Sequence, residues 1–226
     1  MKALRWVLGI VGDLCITLGA LLLLFVAWQL WWTDVTANRV QEGTVQSLTR
    51  DFAQQTPATN ERPSPVAFGK AFAIVRIPRL GSDYARPVLE GTGRDVLQQG
   101  IGHYQGTVLP GAIGNFAVAG HRTTYGRPFH DIDRLRPGDT IVVETKNAYS
   151  VYTVKRHVIV NPTDVAVIAP VPEHPGARPT AAWMTMTACH PKYSAAQRYV
   201  VFAELEHTYP HEQGLPKGTL AVPGGD

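Results

Sequence analysis

The sequence predicts a small all-β domain of about eight short strands, a barrel or a sandwich, carried behind one N-terminal membrane span. Three observations predict it. From Lys70 onward the chain is a series of short apolar runs bounded by Gly, Asn and Asp, the punctuation of a β protein. Helical periodicity is weak through the same stretch, which confines helix to short pieces in loops. Ahead of it, Leu14 to Trp32 reads LCITLGALLLLFVAWQLWW, an apolar run without a charge.

That run is the first element. At about 1.5 Å per residue, some 20 helical residues cross a hydrocarbon core of about 30 Å. Trp6 stands near its start, and Trp28, Trp31 and Trp32 gather at its far end, as interfacial aromatic belts do. Lys2 and Arg5 precede it and Asp34 follows. The positive-inside bias then leaves residues 1–13 in the cytoplasm, makes 14–32 the anchor in membrane lipid, and exports everything after Trp32. A cleaved signal peptide would have a shorter apolar core ending in small residues, whereas this one ends in tryptophans. Asp13 fits either the headgroup boundary or a pairing within the membrane.

Residues 33–69 read as an extracellular linker. Up to Ala53 it is polar with scattered Val35, Val40, Leu48 and Phe52, a frayed helix. QQTPATNERPSPVAFG, from Gln54 to Gly69, carries three prolines and reads as a spacer. Residues 70–209 form the folded domain. Its strands are AFAIVRIPRL (ending in a turn), NFAVAGH, DTIVVET, the largely alternating YSVYTVKRHVIV, AWMTMTAC and RYVVFAEL. RPFHDIDRL forms at most one helical turn. Residues 210–226 read as a loose tail.

Composition narrows the function classes. With 45% hydrophobic and 17% charged residues, the chain suits one globular domain plus attachments. Twenty-one basic residues against 18 acidic give a net charge of +3, and no basic stripe interleaved with aromatics argues for nucleic acid. The short HDID segment, His130 to Asp133, reads as a turn, so neither metal nor cofactor is expected.

The cysteines point to chemistry. Cys15 lies in the span, so Cys189 has no disulfide partner in the exported part. An unpaired thiol in an oxidising compartment fits a nucleophile, an intermolecular bridge or a buried inert residue. A strand period of two puts Trp183, Thr185, Thr187 and Cys189 on one face and Met184, Met186 and Ala188 on the other. His190 points away from Cys189 and reads as a turn residue. Across the polar turn HPKYSAAQ, antiparallel pairing sets Arg198 opposite Cys189. There a guanidinium favours a thiolate, or an oxyanion formed by its attack; the plainer alternative is a surface charge. A thiol nucleophile also needs a proton acceptor and donor. Of eight histidines, His121 ends an apolar strand directly after a glycine, and His103 in GIGHYQGT is second.

The order His, Cys, Arg, with AGHRTTYGRPF followed by TMTACHPKYSAAQRYVVFAEL, resembles the sortases, cysteine transpeptidases of bacterial cell surfaces. Their Thr-Leu-x-Thr-Cys signature stands here as Thr185 to Cys189, with Arg198 beyond. The histidine strand stands as Asn115 to His121, preceded by GHYQGTVLPGAIG. AGHRTTYGRPF and the span ending VAWQLWW look most like class E of high-GC Gram-positive bacteria. The resemblance implies a closed eight-stranded β-barrel with short helices in its loops and His121, Cys189 and Arg198 as catalytic residues. It implies exported proteins bearing a sorting signal as substrates, cut between Thr and Gly, and a peptidoglycan precursor amine as acceptor. Class E preference implies Leu-Ala-x-Thr-Gly over Leu-Pro-x-Thr-Gly, with Tyr104 the candidate tyrosine at the groove and Thr187 and Ala188 beside the substrate.

Two residues depart from the pattern. Met186 replaces leucine, a volume-conserving swap that costs under about 1.5 kcal/mol when buried. Ala188 replaces the threonine that usually precedes the cysteine, so efficiency changes and the reaction survives. Other readings are an L,D-transpeptidase, whose Ser-His-Gly-x-x-x-Cys segment is missing, and a pilin-polymerising class C or a class D sortase with another substrate. Class C would bring a lid and a second span, which the tail after Tyr209 does not offer. A tethered barrel that only binds peptides is the non-enzyme alternative.

Overall fold

The computed structural model describes residues 2–54 and 65–221. Most of the prolines and polar residues of the expected spacer lie outside the described residues, as does the end of the tail.

Eight strands follow one long helix. Helix α1 spans Lys2–Gln54; the strands are β1 (Ala71–Arg76), β2 (Ala85–Glu90), β3 (Ile101–His103), β4 (Gly114–Ala119), β5 (Thr140–Thr145), β6 (Ala148–Val160), β7 (Ala182–His190) and β8 (Gln197–Pro210). A one-turn helix α2 (Arg94–Leu97) precedes β3. The sheet closes on itself in the order β1-β2-β3-β4-β7-β8-β6-β5. Closure leaves no edge strand open to pairing, and of the two candidate architectures it is the barrel that forms.

The alternation read in the sequence builds the core. Ala73 and Val75 of β1, Phe116 and Val118 of β4, Ile141 and Val143 of β5, Met184, Met186 and Ala188 of β7, and Val201 and Ala203 of β8 all point inward to one cluster. Every second residue of a strand faces the same way, so an alternating sequence buries one side only. β2 and β3 have no clear signature in the sequence. β2 reads ARPVLE, and its proline argues against a strand; β3 is only three residues long and carries Gly102.

The stretch after the apolar run, expected as a frayed helix, is continuous helix. α1 continues without a break to Gln54, and Leu48 and Phe52 pack on Ile74 of β1. Burying those two side chains gives this half of the helix tertiary support that its polar composition hides. α1 is, among the described residues, the one helix long and apolar enough to cross a membrane, and none of its most apolar window is buried in the protein. At the other end the chain does not loosen at Pro210: the His211 ring stacks on Tyr149 at 4.7 Å and its Nε2 lies 3.2 Å from Glu144.

Candidate active site

β7 and β8 set the first pair of groups. Their antiparallel register places Cys189 directly opposite Arg198, as the loop between them predicts. Met184, Met186 and Ala188 fill the barrel interior. Thr185, Thr187 and Cys189 therefore face outward, where Thr185 Oγ1 donates to the Val167 carbonyl.

The histidine arrives by a different route. β4 runs parallel to β7, with Ala119 paired to Thr187, and the Gly120 N–H donates to the Thr187 carbonyl at 3.1 Å. His121 stands two residues beyond that pair, just past the end of β4, and Cys189 stands two residues beyond it on β7. Gly120 is needed because a Cβ there would lie 2.6 Å from the ring of Phe129. Phe129 is fully buried, and its N–H donates to the His121 carbonyl at 3.0 Å. The loop after His121 thus folds back over the glycine and fixes the histidine backbone.

His121, Cys189 and Arg198 line one cleft of about 240 Å³, together with Tyr104, Thr187 and Ala188. The structure brings all six residues singled out from the sequence to the same place. Cys189 is half-buried and carries no disulfide. The Nη1 of Arg198 donates to the carbonyls of Ala195 and Gln197, both at 3.0 Å, so its own loop holds the side chain in place. Tyr104 Oη and Thr187 Oγ1 lie 3.0 Å apart. Ala188 is 3% exposed with its side chain in the core cluster. A hydroxyl at that position would face an apolar interior rather than open solvent.

Burial, with the charge of Arg94 second, holds the His121 imidazole below its ordinary value. The neutral ring is favoured because a half-buried cation loses hydration. Its Nε2 is buried with no hydrogen-bond partner among the described residues. Such a nitrogen can take a proton from a nearby thiol as that thiol attacks a carbonyl, and then return it to a departing amine.

The second-choice histidine does other work. His103 Nδ1 lies 2.6 Å from Glu90 Oε2, its Nε2 lies 2.8 Å from Thr107 Oγ1, and its ring packs 5.2 Å from that of Phe116. Both ring nitrogens are occupied inside the barrel, which makes His103 a satisfied core histidine. His190 is not a turn residue: it ends β7, pairs with Gln197 and places Nδ1 3.0 Å from Arg122 Nη1. In the HDID segment, His130 Nδ1 lies 2.9 Å from the Arg122 carbonyl, Asp131 pairs with Lys192 and Asp133 with Arg122.

Arg122 itself escapes the sequence reading. It is 2% exposed, pairs with Asp133 at 2.6 Å, and donates to the Cys189 carbonyl at 3.4 Å. Adjacent to His121 in the chain and bound to β7 in space, it ties the histidine loop to the cysteine strand. Its position next to the histidine was the only signal available.

Known proteins share this fold. A family model described as the sortase domain matches residues 75–206. Sortase SrtE1 of Streptomyces coelicolor is 38% identical over 221 residues, covering 93% of this chain; the chain spans 60% of that relative's length. The solved structure of sortase E from Streptomyces avermitilis is 44% identical with a TM-score of 0.62, over 68% of this chain and 99% of that one. The crystal structure of Sortase E1 from Streptomyces coelicolor with a tripeptide in the active site is 36% identical with a TM-score of 0.61, over 68% and 98% of the two chains.

Proposed function

This chain belongs to the sortase family, and we propose on that premise that it is a membrane-anchored cysteine transpeptidase. It cleaves the Thr–Gly bond of a C-terminal sorting signal and passes the surface protein to an amine of peptidoglycan. One observation carries the reading: His121 from the loop after β4, Cys189 from β7 and Arg198 from β8 line a single cleft. Similarity to class E relatives favours a Leu-Ala-x-Thr-Gly signal, with Leu-Pro-x-Thr-Gly second. The tripeptide in the active site of the Streptomyces coelicolor relative supports a peptide in this cleft.

The chemistry follows from the groups present. The Cys189 sulfur attacks the threonine carbonyl while neutral His121 takes the thiol proton. Arg198 and nearby backbone N–H groups face the oxyanion, each well-placed donor being worth roughly 3 to 4 kcal/mol. His121 returns its proton to the leaving glycine amine, and a thioacyl enzyme remains. An acceptor amine held in the groove outcompetes misaligned water through its effective concentration. It attacks the thioester, gives its proton to His121 and releases Cys189.

The candidate span α1 holds the cleft near the bilayer. The charges of Lys2 and Arg5 put the N-terminus in the cytoplasm and the barrel outside, where exported substrates emerge. The test uses the full chain in detergent micelles with both signal peptides and an amine, followed by mass spectrometry. Transfer of the Leu-Ala-x-Thr-Gly peptide that disappears in Cys189→Ala is the expected result. Transfer of neither peptide removes the substrate class, and cleavage by Cys189→Ala removes the mechanism.

A further inference from the structure

Helix α1 does more than reach the barrel. Two residues past the last tryptophan of its apolar stretch, Asp34 Oδ1 accepts a hydrogen bond from the Gly126 N–H at 3.1 Å, and Oδ2 pairs with Arg127 Nε at 2.9 Å. Two helical turns further along the same face, Gln41 Nε2 donates to the Tyr125 carbonyl at 2.9 Å. Gln41 is fully buried. Between them, Asn38 stands so close that a Cβ on Gly126 would lie 2.8 Å from its Oδ1 and 2.9 Å from Gln41 Nε2. One face of the helix is thus fitted to one short stretch of loop.

That stretch is unusual backbone. Tyr125, Gly126 and Arg127 take φ values of 52°, 75° and 47° in succession. Non-glycine residues persist in this left-handed region only where their surroundings over-determine it. The contacts from α1 supply that constraint. The same loop carries the Tyr125 ring to 5.3 Å from the His121 ring, and it closes back on the His121 carbonyl through Phe129.

We infer that Asp34 and Gln41 are positioning residues, through which the membrane helix fixes the Tyr125 loop and so the His121 imidazole. The inference deepens the transpeptidase reading and rests on it for the role of His121. The charged and titratable groups placed around His121 are Arg94 on α2, Tyr104 after β3, Arg122 and Tyr125 on its own loop, Cys189 on β7 and Arg198 on β8. None of them belongs to α1, and the contacts from Asp34 and Gln41 reach the histidine through the loop.

The experiment takes the full chain in detergent micelles with Asp34→Ala, Gln41→Ala and Asp34→Asn. It reads peptide transfer together with the NMR titration of His121, assigned by its loss in His121→Gln. Both alanine variants slow transfer by at least about tenfold, since small misplacements of a catalytic group are costly. Their His121 titration moves upward, toward the ordinary histidine range, as water enters beneath Tyr125. Asp34→Asn keeps the oxygen that accepts from Gly126 and stays near wild type. Asp34 lies at the rim, so its alanine variant leaves the core intact even if Gln41→Ala folds poorly. A purely structural role lowers the yield of folded protein but leaves the titration of the folded fraction unmoved, and that result overturns the inference. If the wild-type chain transfers no peptide, the transpeptidase reading fails alone, because the titration still reports on the coupling.

Discussion

Gly120→Ala isolates what the glycine before the histidine does. An added methyl group would sit 2.6, 2.8 and 3.0 Å from three atoms of the Phe129 ring. Carbon atoms rest at about 3.5 to 4.0 Å, so ring and backbone must separate by about 1 Å. Phe129 is fully buried and cannot swing into solvent, which forces the shift onto the backbone that carries His121. Overpacking of this size costs about 1 to 3 kcal/mol, a fall in Tm of between about 2 and 12 °C. Displacing an acid–base group by about 1 Å costs up to a hundredfold in rate. Activity therefore falls further than stability alone dictates. Thermal unfolding and peptide transfer would be measured on Gly120→Ala, Phe129→Leu and the double variant. Leucine vacates part of the ring's volume, so the double variant is more stable than the sum of the singles predicts. Strict additivity, or a wild-type transfer rate in Gly120→Ala, refutes the account of this contact.

Three further outcomes follow from the same cleft. Arg198→Ala lowers kcat by about a hundredfold to a thousandfold while the fold persists, because its exposed loop contacts stabilise little; a kcat within threefold of wild type returns Arg198 to a surface charge. Tyr104→Phe removes the hydroxyl 3.0 Å from Thr187 Oγ1 and changes the kcat/KM ratio between the two signal peptides by about twofold to tenfold, the worth of one hydrogen bond; an unchanged ratio means that the pair does not read the second signal residue. His121, held below its ordinary value by burial, contributes stability that is complete above about pH 6.5 and is lost as pH falls through its folded value. Urea midpoints taken from about pH 8 down to pH 5 therefore drop more steeply in wild type than in His121→Gln, and parallel slopes refute that linkage.

Local pattern carried much of this protein. The apolar run with its tryptophans, the alternation that fills the core, and the pairing of Cys189 with Arg198 across a short loop depend on neighbours in sequence. Spacing alone displays them. β2 and β3 stayed hidden because Pro87 and Gly102 mask strands whose existence is decided by the closing of the barrel.

The choice between His103 and His121 illustrates the remainder. The apolar strand ahead of His121 ranks it first, but nothing local shows which of the two reaches the thiol. The parallel pairing of β4 with β7 ends at Ala119 and Thr187, and the chain beyond it carries His121 into the cleft of Cys189, while the interior of the barrel claims both nitrogens of His103. The seating of α1 on the histidine loop and the place of Arg122 beneath the cysteine strand have the same origin. Residue type and periodicity determined which segments fold and which faces they bury, since those depend on a few adjacent side chains. Only closure of the sheet decided which distant groups share a cleft, because that depends on which strands become neighbours.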